Sequence, residues 1–494
     1  MMPRSGINGR QLAAMVVGPS VFALMLLFFD PVPDKPAVAR TLAVAAWLAL
    51  YWLTEAVPLA ATALLPVVLF PLLGVMDAQT TAGAYVNDLI FLFIGGFLFA
   101  IAMQEWGLHR RVALRIMAAI GKGPSTLLLG VMGATWMISW WVNNTSTTLM
   151  MLPIVLALSL KLEEQSPDVA RTLTPAMLLG VAYAASIGGL ATLIGTAPNI
   201  IFSRVYSVAF PDAPPVTFLA WMAVAVPIST VLGALTFAYL RARFLRGCAI
   251  DVDRELVRSE QRALGRISFE ERTVFVVFLV FVALIVSRAD VVVGNTTLHG
   301  WASRIGVDKL VGDGAVAVGA ALVLFVIPSR SQAGFVLEAP AIVKVPWDIV
   351  ILFGGGFALA EAFQSSGASQ YLGEQLAGLA GAPLLVILLA VCASVCFLSE
   401  LASNTALAQV VLPVLGSMAS VTHVHPLLLM VPAAMAASCG FMLPVATPPN
   451  AIVFATRRVR ARDMIRAGFV VDLFGILVIA LAMFVWGRWV LGIR

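Results

Sequence analysis

Two short polar runs interrupt a chain that is otherwise strongly apolar, and their residue types suit the binding of small ions. The first is Ser139-Trp140-Trp141-Val142-Asn143-Asn144-Thr145, followed eight residues on by Pro153. The second is Ser399-Glu400-Leu401-Ala402-Ser403-Asn404-Thr405, followed eight residues on by Pro413. Serine, Asn-Thr and proline recur at a constant spacing of 260 residues. Side-chain amides and hydroxyls offer both acceptor oxygens and donors. Without lysine or arginine beside them they are poor surface residues but good ligands. Two copies in apolar sequence point to a two-lobed site inside a membrane protein.

A second pair of runs is Gly195-Thr196-Ala197-Pro198-Asn199 and Ala446-Thr447-Pro448-Pro449-Asn450, here 251 residues apart. Proline removes a backbone donor and disfavours helix at the residue before it. Both runs lie inside apolar stretches, so both spans are expected to break near the membrane midplane. A break frees carbonyl oxygens, which suit Na⁺, and half-helix N-termini, whose N–H groups suit an anion. None of the four runs contains lysine or arginine. A dianion held there sits in a low-dielectric region with no fixed countercharge, which is costly. Co-bound sodium ions supply that charge, so sodium coupling becomes a condition of anion binding.

The elements that must position these residues are membrane helices. Hydrophobic residues make up 61% of the chain and charged residues 12%, against about 25% charged in a soluble protein. Mean hydropathy is +0.97. Spans are expected near 11–29, 39–54, 56–74, 88–106, 174–203, 216–240, 272–288, 311–327, 347–364, 427–455 and 464–491. The first is followed by Asp30-Pro31-Val32-Pro33-Asp34 with no small-residue cleavage site, which makes it a span and not a signal peptide. Stretches at about 124–160 and 382–418 carry the polar runs near their middles. Each is expected as a re-entrant hairpin whose tip is buried in protein or lines a cavity. The fold class is therefore all-α and polytopic, with about eleven transmembrane helices plus two re-entrant hairpins.

With a cytoplasmic N-terminus, most lysines and arginines gather on one side, including Arg110, Arg111, Arg115, Lys161, Lys344 and the Arg457–Arg466 cluster. That asymmetry follows the positive-inside rule. The net charge of +5 thus reports topology, and no nucleic-acid partner is indicated. The charged segment 241–271 is expected to be a solvated cytoplasmic connector with some helix. Cys248, Cys392, Cys396 and Cys439 lack the spacing of a disulfide or metal framework. They are expected as small buried hydrophobes, and no cofactor is expected.

The 260-residue period extends to Asp88-Leu-Ile-Phe-Leu-Phe-Ile-Gly-Gly-Phe97 and Asp348-Ile-Val-Ile-Leu-Phe-Gly-Gly-Gly-Phe357. Each is followed by a more polar segment. The first of these, after Gly107, sets Arg110, Arg111 and Arg115 along one face, as an interfacial helix would. An odd number of spans separates Asp88 from Asp348, so the two halves enter from opposite sides. Inverted repeats with paired interruptions are the architecture of secondary transporters, with the site at the repeat interface. A proton-coupled carrier would need an ionisable group near midplane. Glu400 is the first candidate, with Glu55 and Glu361 behind it, but a structural hydrogen-bonding role at the hairpin tip is the expectation for Glu400. An intramembrane enzyme would need paired catalytic groups. Asp88 and Asp348 form a symmetric pair, but each opens a span, where an N-cap role is expected.

The chain resembles the divalent anion:sodium symporter (DASS) family of dicarboxylate, citrate and sulfate carriers. The resemblance covers nearly the whole chain, and Ser403-Asn404-Thr405 and Ala446-Thr-Pro-Pro-Asn450 match the family's motifs directly. It implies one sodium site at Ser139, Asn143, Asn144 and Gly195 and a second at Ser399, Ser403, Asn404 and Ala446. It implies that substrate carboxylates meet Asn144 and Thr145 from one lobe and Asn404, Thr405 and Pro448 from the other. It also implies a homodimer working by an elevator motion, in which a transport domain carrying the hairpins moves against a scaffold domain. The segments after Gly107 and Gly367 would be the linking arms. On this division residues 1–87 are mainly scaffold, 88–240 are repeat 1, 241–271 the connector and 272–494 repeat 2. Asn143 stands where the family motif has serine, and Ala197 stands opposite Pro448. The implied function is sodium-coupled symport of a small dianion, a C4-dicarboxylate such as succinate, malate or fumarate, across the inner (plasma) membrane. Sulfate or citrate, or exchange in place of symport, are the alternatives.

Overall fold

Proline and glycine divide this apolar chain into helices of unequal length, and the unequal ones are those that form the site. The computed structural model describes residues 9–119, 123–246, 255–293, 296–376, 382–422 and 424–493. The chain begins with α1 (Gly9–Phe28) and α2 (Pro36–Thr54). Three short helices follow, α3 (Leu59–Thr62), α4 (Leu65–Leu72) and α5 (Ala78–Gly83), and then α6 (Asp88–Glu105). Next come α7 (Leu108–Ala119) and hairpin 1, made of α8 (Pro124–Ile138) and α9 (Asn144–Gln165). One span is broken into α10 (Pro167–Gly189) and α11 (Ala197–Ala209); α12 (Phe218–Phe244) and the connector helix α13 (Glu255–Ala263) complete the first half.

The second half opens with α14 (Phe269–Val286), a two-stranded antiparallel ribbon β1 (Val291–Val293) and β2 (Thr296–Leu298), and α15 (Trp301–Arg304). It continues through α16 (Asp313–Val326), α17 (Ala339–Val343), α18 (Trp347–Ser366) and α19 (Ala368–Leu376). Hairpin 2 is α20 (Leu384–Ser399) and α21 (Asn404–Thr422). A second broken span is α22 (Pro426–Ala436) and α23 (Pro448–Ala455), and α24 (Ala461–Ala482) leads into a closing π-helical turn. Among the described residues, nine helical stretches are long and apolar enough to cross a membrane. Both hairpins and both breaks lie where the polar runs place them. The stretch 56–74 is not one span: Pro58 starts the short helix α3, the chain turns at 63–64, Pro66 stands in the first turn of α4, and Glu55 takes a left-handed φ of 47° at the turn into it. The β-ribbon was not foreseen from sequence.

The repeated glycines set how the halves meet. A Cβ on Gly95 of α6 would stand 2.6 Å from Ala317 of α16, and one on Gly355 of α18 would stand 2.5 Å from the carbonyl of Ala63. Each half's glycine thus admits the backbone of the other half. Phe93 and Phe353, equivalent residues of the two copies, meet edge to face with ring centroids 4.7 Å apart. Such aromatic geometry adds to the burial of both rings.

Three expectations need correction. Asp88 does not cap its own helix: Asn87 does, accepting from Leu89 and Ile90 N–H groups. The Asp88 carboxylate instead accepts the Gly314 N–H, at 3.2 Å, at the start of α16. Likewise Pro346, not Asp348, precedes α18 as its cap residue. The connector has the helix expected of it and several exposed residues, but in its described part it is also docked on the membrane helices. Glu260 of α13 bridges Arg110 of α7 and Lys161 of α9, at 2.9 Å each. Nor does Arg111 face lipid headgroups. It is buried, paired with Glu271, and its guanidinium donates to the carbonyls of Leu264, Gly265 and Arg266. Four acceptors at fixed positions match the planar fork of arginine and outcompete the interface for it. Cys392, Cys396 and Cys439 are buried free thiols, while Cys248 lies outside the described residues.

Candidate substrate and ion site

Each polar run sits where a helix ends, for a local reason. At the tip of hairpin 1, Asn143 is the N-cap of α9. Its side-chain oxygen accepts from the Ser146 N–H at 2.9 Å, and its carbonyl accepts from Thr147 N–H. The amide of Asn143 is therefore spent on capping. Ser139 closes α8, is fully buried, and donates its hydroxyl to the Ala185 carbonyl at 2.6 Å. Its Oγ lies 3.1 Å from Oδ1 of Asn144. That Oδ1 packs directly over Gly189, where any Cβ would collide with it, and the Gly195 carbonyl lies beside the same spot. Ser139 Oγ, Asn144 Oδ1 and Gly195 O therefore converge on one small region.

The second lobe repeats this plan. Ser399 closes α20, fully buried, and Gly440 stands where Gly189 stands in the first lobe. A Cβ on Gly440 would meet Ser399 O and Oγ at 3.3 Å and Ala446 at 3.4 Å. The two breaks are laced identically. Asn199 Nδ2 donates to the carbonyls of Gly189 and Thr192, at 3.1 and 2.8 Å. Asn450 Nδ2 donates to those of Gly440 and Leu443, at 3.2 and 3.0 Å. Thr196 and Ser438 hydroxyls, one from each break, approach to 3.4 Å.

All four runs border one cavity of about 920 Å³. Asn143, Asn144, Thr145, Gly195, Ser403, Asn404, Thr405, Ala446 and Pro448 line it. Ser139 and Ser399 do not; they stand buried behind the hairpin tips. The N-termini of α9, α11, α21 and α23 all open onto this cavity, and helix N-termini favour negative charge. The charged residues among its lining are Glu55 and Asp348, with no lysine or arginine. The buried side-chain oxygens of Asn199, Asn404 and Asn450 accept no hydrogen bond from the protein. An unpaired buried acceptor is costly unless a ligand completes it. Amide and carbonyl oxygens are the ligands hard cations prefer, so the donor set fits a sodium ion in each lobe.

Glu400 is nearly inaccessible, and its two carboxylate oxygens accept from Met442 and Leu443 N–H at 2.8 Å each. That is the structural role expected of it. Asp472 of α24 joins it, accepting from Phe441 N–H at 3.2 Å. Asp472 was missed from sequence, although an acid in the middle of an apolar span is itself a signal. The first lobe has no such acid. There the Thr192 hydroxyl donates to the Trp140 carbonyl, tying tip to break by another route.

The family model described as "Sodium:sulfate symporter transmembrane region" matches residues 11–493. A sodium-dependent dicarboxylate transporter, SdcS, of Staphylococcus saprophyticus is 40% identical, covering 98% of this chain and 93% of its own. Its namesake in Staphylococcus aureus is 39% identical over 98% of this chain and 92% of its own. Among solved structures, the Alcanivorax borkumensis YdaH transporter has a TM-score of 0.56 at 14% identity, covering 83% of this chain and 88% of that one. Neisseria gonorrhoeae MtrF gives the same score and identity, covering 83% of each. The last two likenesses concern the fold alone.

Proposed function

The chain belongs to the sodium:sulfate symporter family of membrane transporters, and on that premise we propose that it couples sodium entry to the symport of a C4-dicarboxylate. The observation that carries this reading is the convergence of four helix N-termini and the unsatisfied amide oxygen of Asn404 on one cavity whose lining holds no lysine or arginine. Sodium ions would bind first. Ser139, Asn144 and Gly195, with the Asn143 carbonyl, would hold one; Ser399, Ser403, Asn404 and Ala446 would hold the other. Their charge offsets Glu55 and Asp348 as well as the incoming dianion. The substrate carboxylates would then meet Asn144 and Thr145 on one side and Asn404, Thr405 and Pro448 on the other. Because the Asn143 amide caps α9, its replacement of the family's serine leaves a carbonyl, the group a sodium ion needs.

For the motion, α8–α11 and α20–α23 would travel together as a transport domain, with α7 and α19 as arms, against a scaffold including α2–α6 and α14–α18. The protein would act as a homodimer in the inner (plasma) membrane with a cytoplasmic N-terminus. The 39–40% identity to SdcS proteins favours dicarboxylates over sulfate. The test is uptake of labelled succinate, citrate and sulfate into proteoliposomes, with an inward Na⁺ gradient or with choline replacing Na⁺. Succinate uptake that requires Na⁺ is expected. Succinate uptake indifferent to Na⁺, or sulfate as the sole substrate, would overturn the reading.

A further inference from the structure

A second cavity, of about 550 Å³, adjoins the first. It shares Phe97, Asn143, Thr145 and Ile349 with the larger one, so the two meet at the tip of hairpin 1. Its far wall is formed by Gln104, Glu105 and Lys344. Glu105 ends α6 and Lys344 follows α17, and α6 runs on through α7 into hairpin 1. This cavity therefore opens on the membrane face from which hairpin 1 enters. Lys344 pairs with Glu105, and the two side chains remain 55% and 33% exposed. Among the described residues lining the two cavities, Lys344 is the one lysine or arginine, against the acids Glu55, Glu105 and Asp348.

Resting on the symport reading above, we propose that Lys344 is the residue that receives the dianion at the hairpin-1 mouth of the substrate path, exchanging Glu105 for a substrate carboxylate. A dianion crossing this cavity otherwise meets the bare charge of Glu105. Lys344 masks that charge and offers its own. A water-exposed ion pair contributes little to stability, so opening it for a substrate carboxylate costs the fold little. A compact ammonium on a flexible stem can follow the anion over several ångströms. A single fixed charge at the mouth of a cleft acts on encounter and weak holding, and salt screens both.

The experiment is initial-rate succinate uptake, at constant Na⁺, in membrane vesicles of both orientations, at ionic strengths of about 0.1 and about 1 M, where the Debye length falls from about 10 to about 3 Å. Lys344→Gln should raise KM about 5-fold at the lower ionic strength in vesicles presenting the hairpin-1 face, and leave the opposite orientation unchanged. At the higher ionic strength the difference should shrink below about 2-fold. Lys344→Arg should restore the wild-type KM, and Glu105→Gln, which keeps the cation, should not raise it. An unchanged KM in Lys344→Gln overturns the proposal. So does a loss that salt does not reduce, or a Glu105→Gln defect equal to that of Lys344→Gln, because either makes the pair a structural tie. If Lys344→Gln fails to assemble, Glu105→Gln decides: a KM unchanged or lowered supports the proposal, and a raised KM overturns it. Wild-type vesicles that take up no succinate with Na⁺ sink the symport reading instead, a result separate from any Lys344 effect.

Discussion

Asn404→Asp separates the two ligands of the proposed site. The Asn404 side-chain oxygen is buried and accepts no hydrogen bond from the protein, so the exchange removes no acceptor contact of the fold. Its effect falls on what the cavity holds. Two unit charges 4 Å apart interact by about 4 kcal/mol at an effective dielectric of 20 and by about 1 kcal/mol in water. The cavity is about 920 Å³, larger than a four-carbon diacid, and admits water beside the substrate. A penalty of about 2 kcal/mol against the nearer substrate carboxylate follows, which is about a 30-fold loss of affinity. A sodium ion at the same oxygen gains a full negative charge and should bind at least as tightly. Two assays report the two ligands: KM for succinate uptake in proteoliposomes, and the Na⁺ midpoint for thermal stabilisation of the solubilised protein. The expected result is a KM raised about 30-fold, a Na⁺ midpoint unchanged or lowered, and, because the new carboxyl is buried without a partner, a melting temperature without either ligand no higher than that of the unaltered protein. An unchanged KM, or a weakened Na⁺ response with normal substrate affinity, would refute the assignment.

Other perturbations follow from the same geometry. Arg111→Ala leaves Glu271 buried without its partner, a loss of about 3–5 kcal/mol; thermal unfolding in detergent should show it, and Arg111→Lys should not fully restore stability, since lysine cannot span Glu271 and three carbonyls. Gly95→Val and Gly355→Val each drive a side chain into the neighbouring backbone of the other half; each should destabilise by about 1–3 kcal/mol and lower the yield of monodisperse protein. The hydrogen bond from Lys161, with Arg110 beside it, holds the Glu260 carboxyl below its ordinary value of 4.5. A depressed carboxylate stabilises above its unfolded pKa and loses that contribution as pH falls through its folded one. Docking of α13 should therefore persist at neutral pH and weaken below about pH 4.5, seen as faster proteolysis of the connector, and Glu260→Gln should reproduce the weakening at pH 7.

What the sequence made legible was whatever repeats. Asn144 with Asn404, Thr145 with Thr405, and the two Pro-Asn breaks stood out because polar residues at a constant spacing have no reason to recur in lipid-facing helix. The hairpins and broken spans follow from them, since proline and unpaired polar groups cannot sit in an unbroken span. Of the residues that act once, Glu400 was legible because it sits inside a polar run; those outside the runs were not. Arg111 and Arg110 look alike in a basic amphipathic segment, and only the position of Glu271 and three loop carbonyls separates the buried one from the exposed one. Asp88 looked like a cap for its own helix, because nothing in its neighbourhood announces that α16 starts against it. Lys344 lies in a junction with no periodicity, and its pairing with Glu105 beside the second cavity appears only when α17 is packed against α6.

The two lobes are alike where they face the cavity and differ behind it. In the first, the amides of Leu190 and Ala191 bond to carbonyls of their own turn, and the Thr192 hydroxyl joins the tip through Trp140. In the second, the amides of Phe441, Met442 and Leu443 donate to the carboxylates of Asp472 and Glu400. Both solutions satisfy backbone groups that a broken span leaves open, as burial in a membrane requires. They differ in the groups they use. The second tip is braced by two carboxyl groups, Glu400 and Asp472, without a lysine or arginine among their hydrogen-bond partners, while the first tip is braced by hydroxyl and backbone groups. Matching ligand geometry in the two lobes therefore does not make the two proposed sodium sites equal: the oxygens that face the cavity repeat, but the groups that brace them do not.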